Sequence, residues 1–136
     1  MAHPLLPKVL AMLVGQYIHQ DPRTGLHSIY GIFDNIAVHN FPVPHALAVF
    51  IQLTNLRSPT PMCLKLVDSD QARSPLFEQN LSTPGFDPLF VFNITYQGSV
   101  LVESPGSYLL QLFAGQELLF ERILQVQALG QYHLQS

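Results

Sequence analysis

Charged residues are scarce in this sequence. Asp, Glu, Lys and Arg make up 11% of the 136 residues, whereas about 25% is usual for a soluble domain. Hydrophobic residues make up 48%. A folded chain of 15.2 kDa exposes roughly 7,000 Å² of surface, which is more than so few charges can cover. Part of the surface is therefore predicted to be apolar, and large exposed apolar patches usually mark a place where another molecule binds.

Other absences narrow the classes of function. The six Lys and Arg residues are scattered singly and the net charge is −3, so the basic stripe that nucleic-acid binding needs is missing. No apolar run approaches the roughly 20 residues of a membrane-spanning helix. Cys63 is the single cysteine, which excludes a disulfide within the chain. Together with the lack of a cleavage pattern after the apolar run at Val9, this favours a cytoplasmic location.

Proline divides the chain into β-type runs. It is excluded from helix interiors and from central strands, and the eleven prolines separate short stretches rich in Val, Ile, Leu, Phe and Tyr. The predicted strands cover residues 8–20, 26–38, 46–56, 62–67, 76–81, 89–96, 108–113 and 118–126. The first two are expected to pair as one long hairpin, because residues 21–25 (DPRTG) are typical of a turn.

This pattern predicts an all-β protein. Short strands with a turn every few residues and no helical period indicate a single β-sandwich, immunoglobulin-like or related, of about 8–9 antiparallel strands. We assign residues 8–128 to the sandwich, residues 1–7 to an N-terminal extension and residues 129–136 to a flexible C-terminal tail. In the last strand Leu124 and Val126 share a face with Arg122, which predicts either a β-bulge or an arginine whose stem is covered.

No group of residues points clearly to chemistry. Among the six histidines, His19 and His27 flank the first turn, and His39 and His45 bracket a Pro-rich loop. None of these pairs has the close spacing that zinc sites usually contain. The nucleophile motif G-x-S-x-G and the Gly-rich phosphate loops are also missing. The sequence therefore predicts no catalytic, cofactor-binding or metal-binding residue, and no cofactor.

The order of three segments resembles a known family. The segments are PKVLAMLVGQYIHQDPRTGLHSIYGIFDNI, FPVPHALAVFIQLTN and PGSYLLQLFAGQELLFERILQV. Together they resemble an uncharacterised family of small bacterial all-β proteins, over roughly residues 7–127. The most specific parts are GIFD at residues 31–34 and PG-x-Y at residues 105–108. The resemblance implies a stand-alone all-β domain and carries no activity or site residue with it.

The composition favours a function in protein association. Natural monomers protect the edges of their sheets with charges, whereas residues 46–56 and 89–96 contain none. We therefore expect a non-enzymatic module that assembles into a homo-oligomer or a larger assembly. The candidate association surface consists of Val49, Ile51, Phe90, Val91 and Phe92.

Two alternatives remain open at the level of sequence. The first is an adaptor that binds a different protein through its Pro-rich loops, for which the candidate anchors are Phe41, His45 and Phe86. The second is a small hydrolase or a metal-binding protein that uses His39 and His45. All three interpretations exclude nucleic acid as a partner.

Overall fold

The computed structural model describes residues 6–69, 75–85 and 87–129. Within these ranges the chain forms ten β-strands and no helix. The strands are β1 (Lys8–Gly15), β2 (Tyr17–Gln20), β3 (His27–Tyr30), β4 (Asn35–Val38), β5 (Val43–Thr54), β6 (Thr60–Asp68), β7 (Phe77–Thr83), β8 (Phe92–Val102), β9 (Gly106–Ala114) and β10 (Glu117–Ala128). The all-β prediction is thus confirmed. The described residues contain no helix long and apolar enough to cross a membrane.

The strands form three sheets. One has three strands in the order β1-β5-β8, a second has five strands in the order β4-β10-β9-β6-β7, and β2 and β3 form a separate hairpin. All pairs are antiparallel except β4 and β10, which run parallel from Asn35 beside Gln125 to Val38 beside Ala128. The prediction of antiparallel strands throughout is therefore wrong at this pair.

The two larger sheets share one hydrophobic core. In β9 every second side chain is buried, namely Tyr108, Leu110, Leu112 and Ala114, because successive residues of a strand point to opposite faces. The largest fully buried apolar side chains are Met12, Val14, Val49, Ile51, Leu53, Leu56, Leu64, Leu110 and Leu112. They come from both sheets and from the loop after β5, and they belong to one cluster.

The first two predicted strands do not form one long hairpin. Each is divided, so that only the short strands β2 and β3 pair with each other, while β1 pairs with β5 and β4 pairs with β10. The second run breaks at Gly31, whose φ of 63° lies in the left-handed region that favours glycine. Periodicity shows that a segment is extended, but it does not show which strand lies beside it.

The last strand contains both features offered for Arg122, a β-bulge that precedes it and a half-buried arginine side chain. The pairing of β9 with β10 shifts register between Leu118 and Phe120, as a β-bulge requires. Arg122 then lies opposite Leu110, and its Nη1 donates a hydrogen bond of 3.1 Å to the carbonyl oxygen of Met12 in β1. One side chain therefore joins the end of the chain to its first strand.

Candidate functional site

Strand β8 lies at the edge of the three-stranded sheet. It is hydrogen-bonded to β5 over all of its eleven residues, with no shift of register. Its sequence, FNITYQGSVLV, contains neither a charged residue nor a proline. An edge strand directs the backbone N–H and C=O groups of alternate residues away from its sheet, where a further strand can pair with them.

The other edges of the two larger sheets are less open to pairing. Strand β1 starts with Lys8 and contains a register shift between Val9 and Ala11, while β4 has only four residues. Strand β7 has seven residues and carries Glu78, whose Oε2 lies 3.8 Å from Nζ of Lys65. Charges, bulges and short length are the usual protections of a sheet edge. Strand β8 has none of the three.

An exposed apolar segment precedes β8. It consists of Leu89, Phe90 and Val91, whose exposed fractions are 87%, 52% and 43%. The segment is held in place by a turn in which the Leu89 amide donates to Oδ1 of Asp87 (2.9 Å). The Thr54 hydroxyl also lies 3.0 Å from the Phe90 carbonyl oxygen. This turn explains why β8 begins at Phe92 rather than at the predicted residue 89.

The predicted association surface divides into two groups. Phe90 and Val91 are exposed beside the edge strand, and Phe92 is half-buried against the core. Val49 and Ile51 are fully buried, because β5 lies between β1 and β8 and turns these side chains toward the opposite sheet. The assignment of Val49 and Ile51 to an exposed surface is therefore wrong.

The predicted loop anchors are largely occupied within the domain. Phe41 packs partly buried against the core. His45 belongs to β5 rather than to the loop, and its ring meets that of Phe33 edge-on, with centroids 5.2 Å apart. Phe86 lies outside the described residues. The loop from residue 39 to residue 42 contains the cis peptide bond between Phe41 and Pro42.

The histidines and the cysteine form no metal centre among the described residues, where no three His, Cys, Asp or Glu side chains come together. His19 pairs with Ser28 and His27 pairs with Gln20, which places the two histidines on opposite faces of the hairpin. The Cys63 thiol lies 3.6 Å from Oε2 of Glu78. Burial, and then Glu78, raise the pKa of this thiol, so its environment disfavours the reactive thiolate.

Sequence reasoning missed the second half of the edge strand. The predicted strand ended at residue 96, whereas β8 continues to Val102. Gly98 interrupts the apolar pattern, and the structure gives a reason for it, since a Cβ at this position would lie 2.5 Å from the Tyr96 hydroxyl oxygen. The signal that could have shown the continuation is the alternation at residues 100–102, where Val100 and Val102 are buried and Leu101 is exposed.

Comparison with known proteins does not add an activity. No curated protein matches the sequence. A family model, described as a family of unknown function (DUF6941), matches residues 10–127. This match runs from β1 into β10 and so includes every strand at least in part. On this evidence of near-complete coverage, the chain belongs to the family of unknown function DUF6941.

Proposed function

We propose that this protein works by self-association, through pairing of β8 with the β8 of a second copy. The observation that carries the proposal is the edge position of an eleven-residue strand without charge, proline or register shift. Two such strands related by a twofold axis run antiparallel, and the contact is then the same on both copies. The result is a continuous six-stranded sheet in the order β1-β5-β8-β8-β5-β1.

The proposed fold of each copy is an immunoglobulin-like sandwich. In that fold one sheet contains strands A, B and E and the other contains C, F and G. The orders β1-β5-β8 and β6-β9-β10 fit these two sets. The hydroxyl of Tyr108, near the start of β9, donates to the carbonyl oxygen of Ser104 four residues earlier, as in the tyrosine corner of such domains.

The register of the proposed dimer follows from symmetry. Gln97 is the middle residue of β8, so the longest antiparallel overlap places Gln97 on the twofold axis. Thr95 of each copy then lies opposite Ser99 of the other. Both residues are exposed, so a change at either position disturbs the pairing without disturbing the core.

Burial of the apolar segment at residues 89–91 contributes the free energy by which the dimer becomes stable. Eleven paired residues add about ten backbone hydrogen bonds, and at about 0.5–1.5 kcal/mol each they roughly offset the cost of association. Burial of a side chain as exposed as Leu89 contributes about 1.5–3 kcal/mol more. Because a twofold dimer buries this side chain twice, Leu89→Ala should weaken dimerisation at least about tenfold.

The test is a charge exchange across the proposed axis. Thr95→Lys combined with Ser99→Lys places lysines opposite each other and should give a monomer. Thr95→Lys combined with Ser99→Glu places opposite charges together and should restore the dimer. The mass is measured by light scattering on a sizing column at several protein concentrations, where the wild type should elute at twice 15.2 kDa.

A matched control lies on β7, an edge strand of the five-stranded sheet. Asn80 and Ser82 are exposed residues of β7, and changing both to Lys should leave the dimer intact. A wild-type mass of 15.2 kDa at every concentration would refute self-association. A dimer that survives the lysine pair in β8 but not the lysine pair in β7 would locate the interface on β7 and would refute the proposed pairing of β8.

A further inference from the structure

A cavity that is partly open to solvent lies between the β2–β3 hairpin and the three-stranded sheet. Its volume is about 150 Å³. Its walls are formed by Leu13, Ile18, His27, Ser28, Ile29 and Phe50. The hairpin covers the face of the three-stranded sheet that points away from the shared core and also contacts Gln97 of β8. The cavity is therefore separate from that core, and no residue of β8 lines it.

The hairpin is fixed at both of its ends, which keeps the cavity open. The Ile18 amide donates to Oε1 of Gln97 in β8 (2.9 Å), and the His27 ring lies against that of Phe50 with centroids 5.3 Å apart. At the base, the Gln16 amide donates to the Tyr30 carbonyl oxygen (2.9 Å). A Cβ on Gly15 would lie 2.7 Å from Cγ1 of Ile29, so glycine permits this close approach.

The walls define the chemistry of a ligand. Four of the six lining side chains are apolar, and no Asp, Glu, Lys or Arg is among them, so a charged group would be buried without a partner. Drug-sized ligands need cavities of about 300 Å³ or more, whereas a volume of about 150 Å³ is enough for one benzene ring. His27 is half-buried and can exchange one hydrogen bond with an occupant.

We propose that this cavity binds a neutral single-ring aromatic compound that carries one hydrogen-bonding group. The ring packs among Leu13, Ile29 and Phe50, and its polar group meets the His27 imidazole. Phenol is the simplest probe of this class, and benzene is its counterpart without the polar group. One neutral hydrogen bond corresponds to about fivefold in affinity, so phenol should bind about fivefold more tightly than benzene.

The test is a titration of the ¹⁵N-labelled full chain with phenol and with benzene, followed by amide chemical shifts. Saturable shifts should concentrate at the cavity walls, and Leu13→Phe should abolish them by filling the space. Leu10→Phe is the matched control, since Leu10 lies in the same strand, is 47% exposed and does not line the cavity. His27→Phe should remove the advantage of phenol over benzene.

Three outcomes would overturn the proposal. They are the absence of saturable shifts at the walls up to the solubility of phenol, equal binding by Leu13→Phe and the wild type, and equal affinity for phenol and benzene in the wild type. If Leu13→Phe does not fold, Ile29→Phe fills the same cavity from the hairpin and decides the question in its place. The lysine pair in β8 should retain phenol binding, because it leaves Gln97 and all six wall residues unchanged.

Discussion

Replacement of Arg122 by methionine should change the free energy of unfolding by no more than about 1 kcal/mol. Arg122 extends from β10 toward β1, where its Nη1 donates a hydrogen bond of 3.1 Å to the Met12 carbonyl oxygen. Its Nε is buried and has no hydrogen-bond partner. The guanidinium therefore stabilises the fold through the Nη1 hydrogen bond and destabilises it through the Nε group, which is removed from water without a partner.

The two contributions are similar in size. A hydrogen bond from a charged donor is worth about 1.5–3 kcal/mol, and a buried unsatisfied polar group costs about 1–3 kcal/mol. Methionine removes both and keeps an unbranched apolar stem, so the changes largely cancel. Alanine removes the stem as well, and Arg122→Ala should therefore lower the free energy of unfolding by about 2–4 kcal/mol.

Urea denaturation followed by far-ultraviolet circular dichroism measures the difference, because its midpoint shifts with stability while its slope reports the surface exposed on unfolding. The comparison is best made in the background of Thr95→Lys with Ser99→Lys, where dimerisation does not add to apparent stability. A loss from methionine as large as the loss from alanine would refute the reasoning. It would show that the packing of the stem contributes little and that the bond to Met12 outweighs the buried Nε.

Two further predictions concern single side chains. Tyr108→Phe should lower the free energy of unfolding by about 1–2 kcal/mol, seen as a lower urea midpoint with an unchanged slope, because the Ser104 carbonyl oxygen loses its donor; an unchanged midpoint would contradict this. Burial and Glu78 raise the pKa of Cys63, so iodoacetamide should alkylate Cys63 more slowly than a free thiol at the same pH, and Glu78→Gln should speed the reaction. Since the folded state holds this proton more tightly than the unfolded state, stability should fall as pH rises through the raised pKa; faster alkylation than a free thiol would contradict the assignment.

The sequence predicts the class of fold well because alternation of apolar residues is a local property. Each of the eight predicted runs overlaps at least one strand, and a real bulge precedes Arg122, where the apolar phase is ambiguous. Pairing is not local. The break between β1 and β2 is marked only by Gly15, the last residue of β1, and the partners of β1 and β4 lie far along the chain. Apolar periodicity therefore gives no information about which distant strand is the partner.

The candidate site also shows what composition does not reveal, namely whether an uncharged strand is buried or lies at an edge. Strands β5 and β8 both lack charged residues, but for different physical reasons. In β5 the absence follows from burial between two neighbours, where Val49 and Ile51 have no exposed surface. In β8 most of the exposed residues, such as Thr95 and Ser99, are polar but uncharged. Composition treats the two strands alike, and only the order of the sheet distinguishes them.

The parallel pair of β4 and β10 has a consequence for synthesis. Asn35 leaves the ribosome early, whereas its neighbour Gln125 is among the last residues of the domain to be made. At about 5–20 residues per second, β4 waits roughly 5–20 seconds for the strand that completes its sheet. During that time the apolar side of β4, with Ile36 and Val38, has no sheet to join. The nascent chain, rather than the finished domain, is therefore the form in which this protein most needs protection from aggregation.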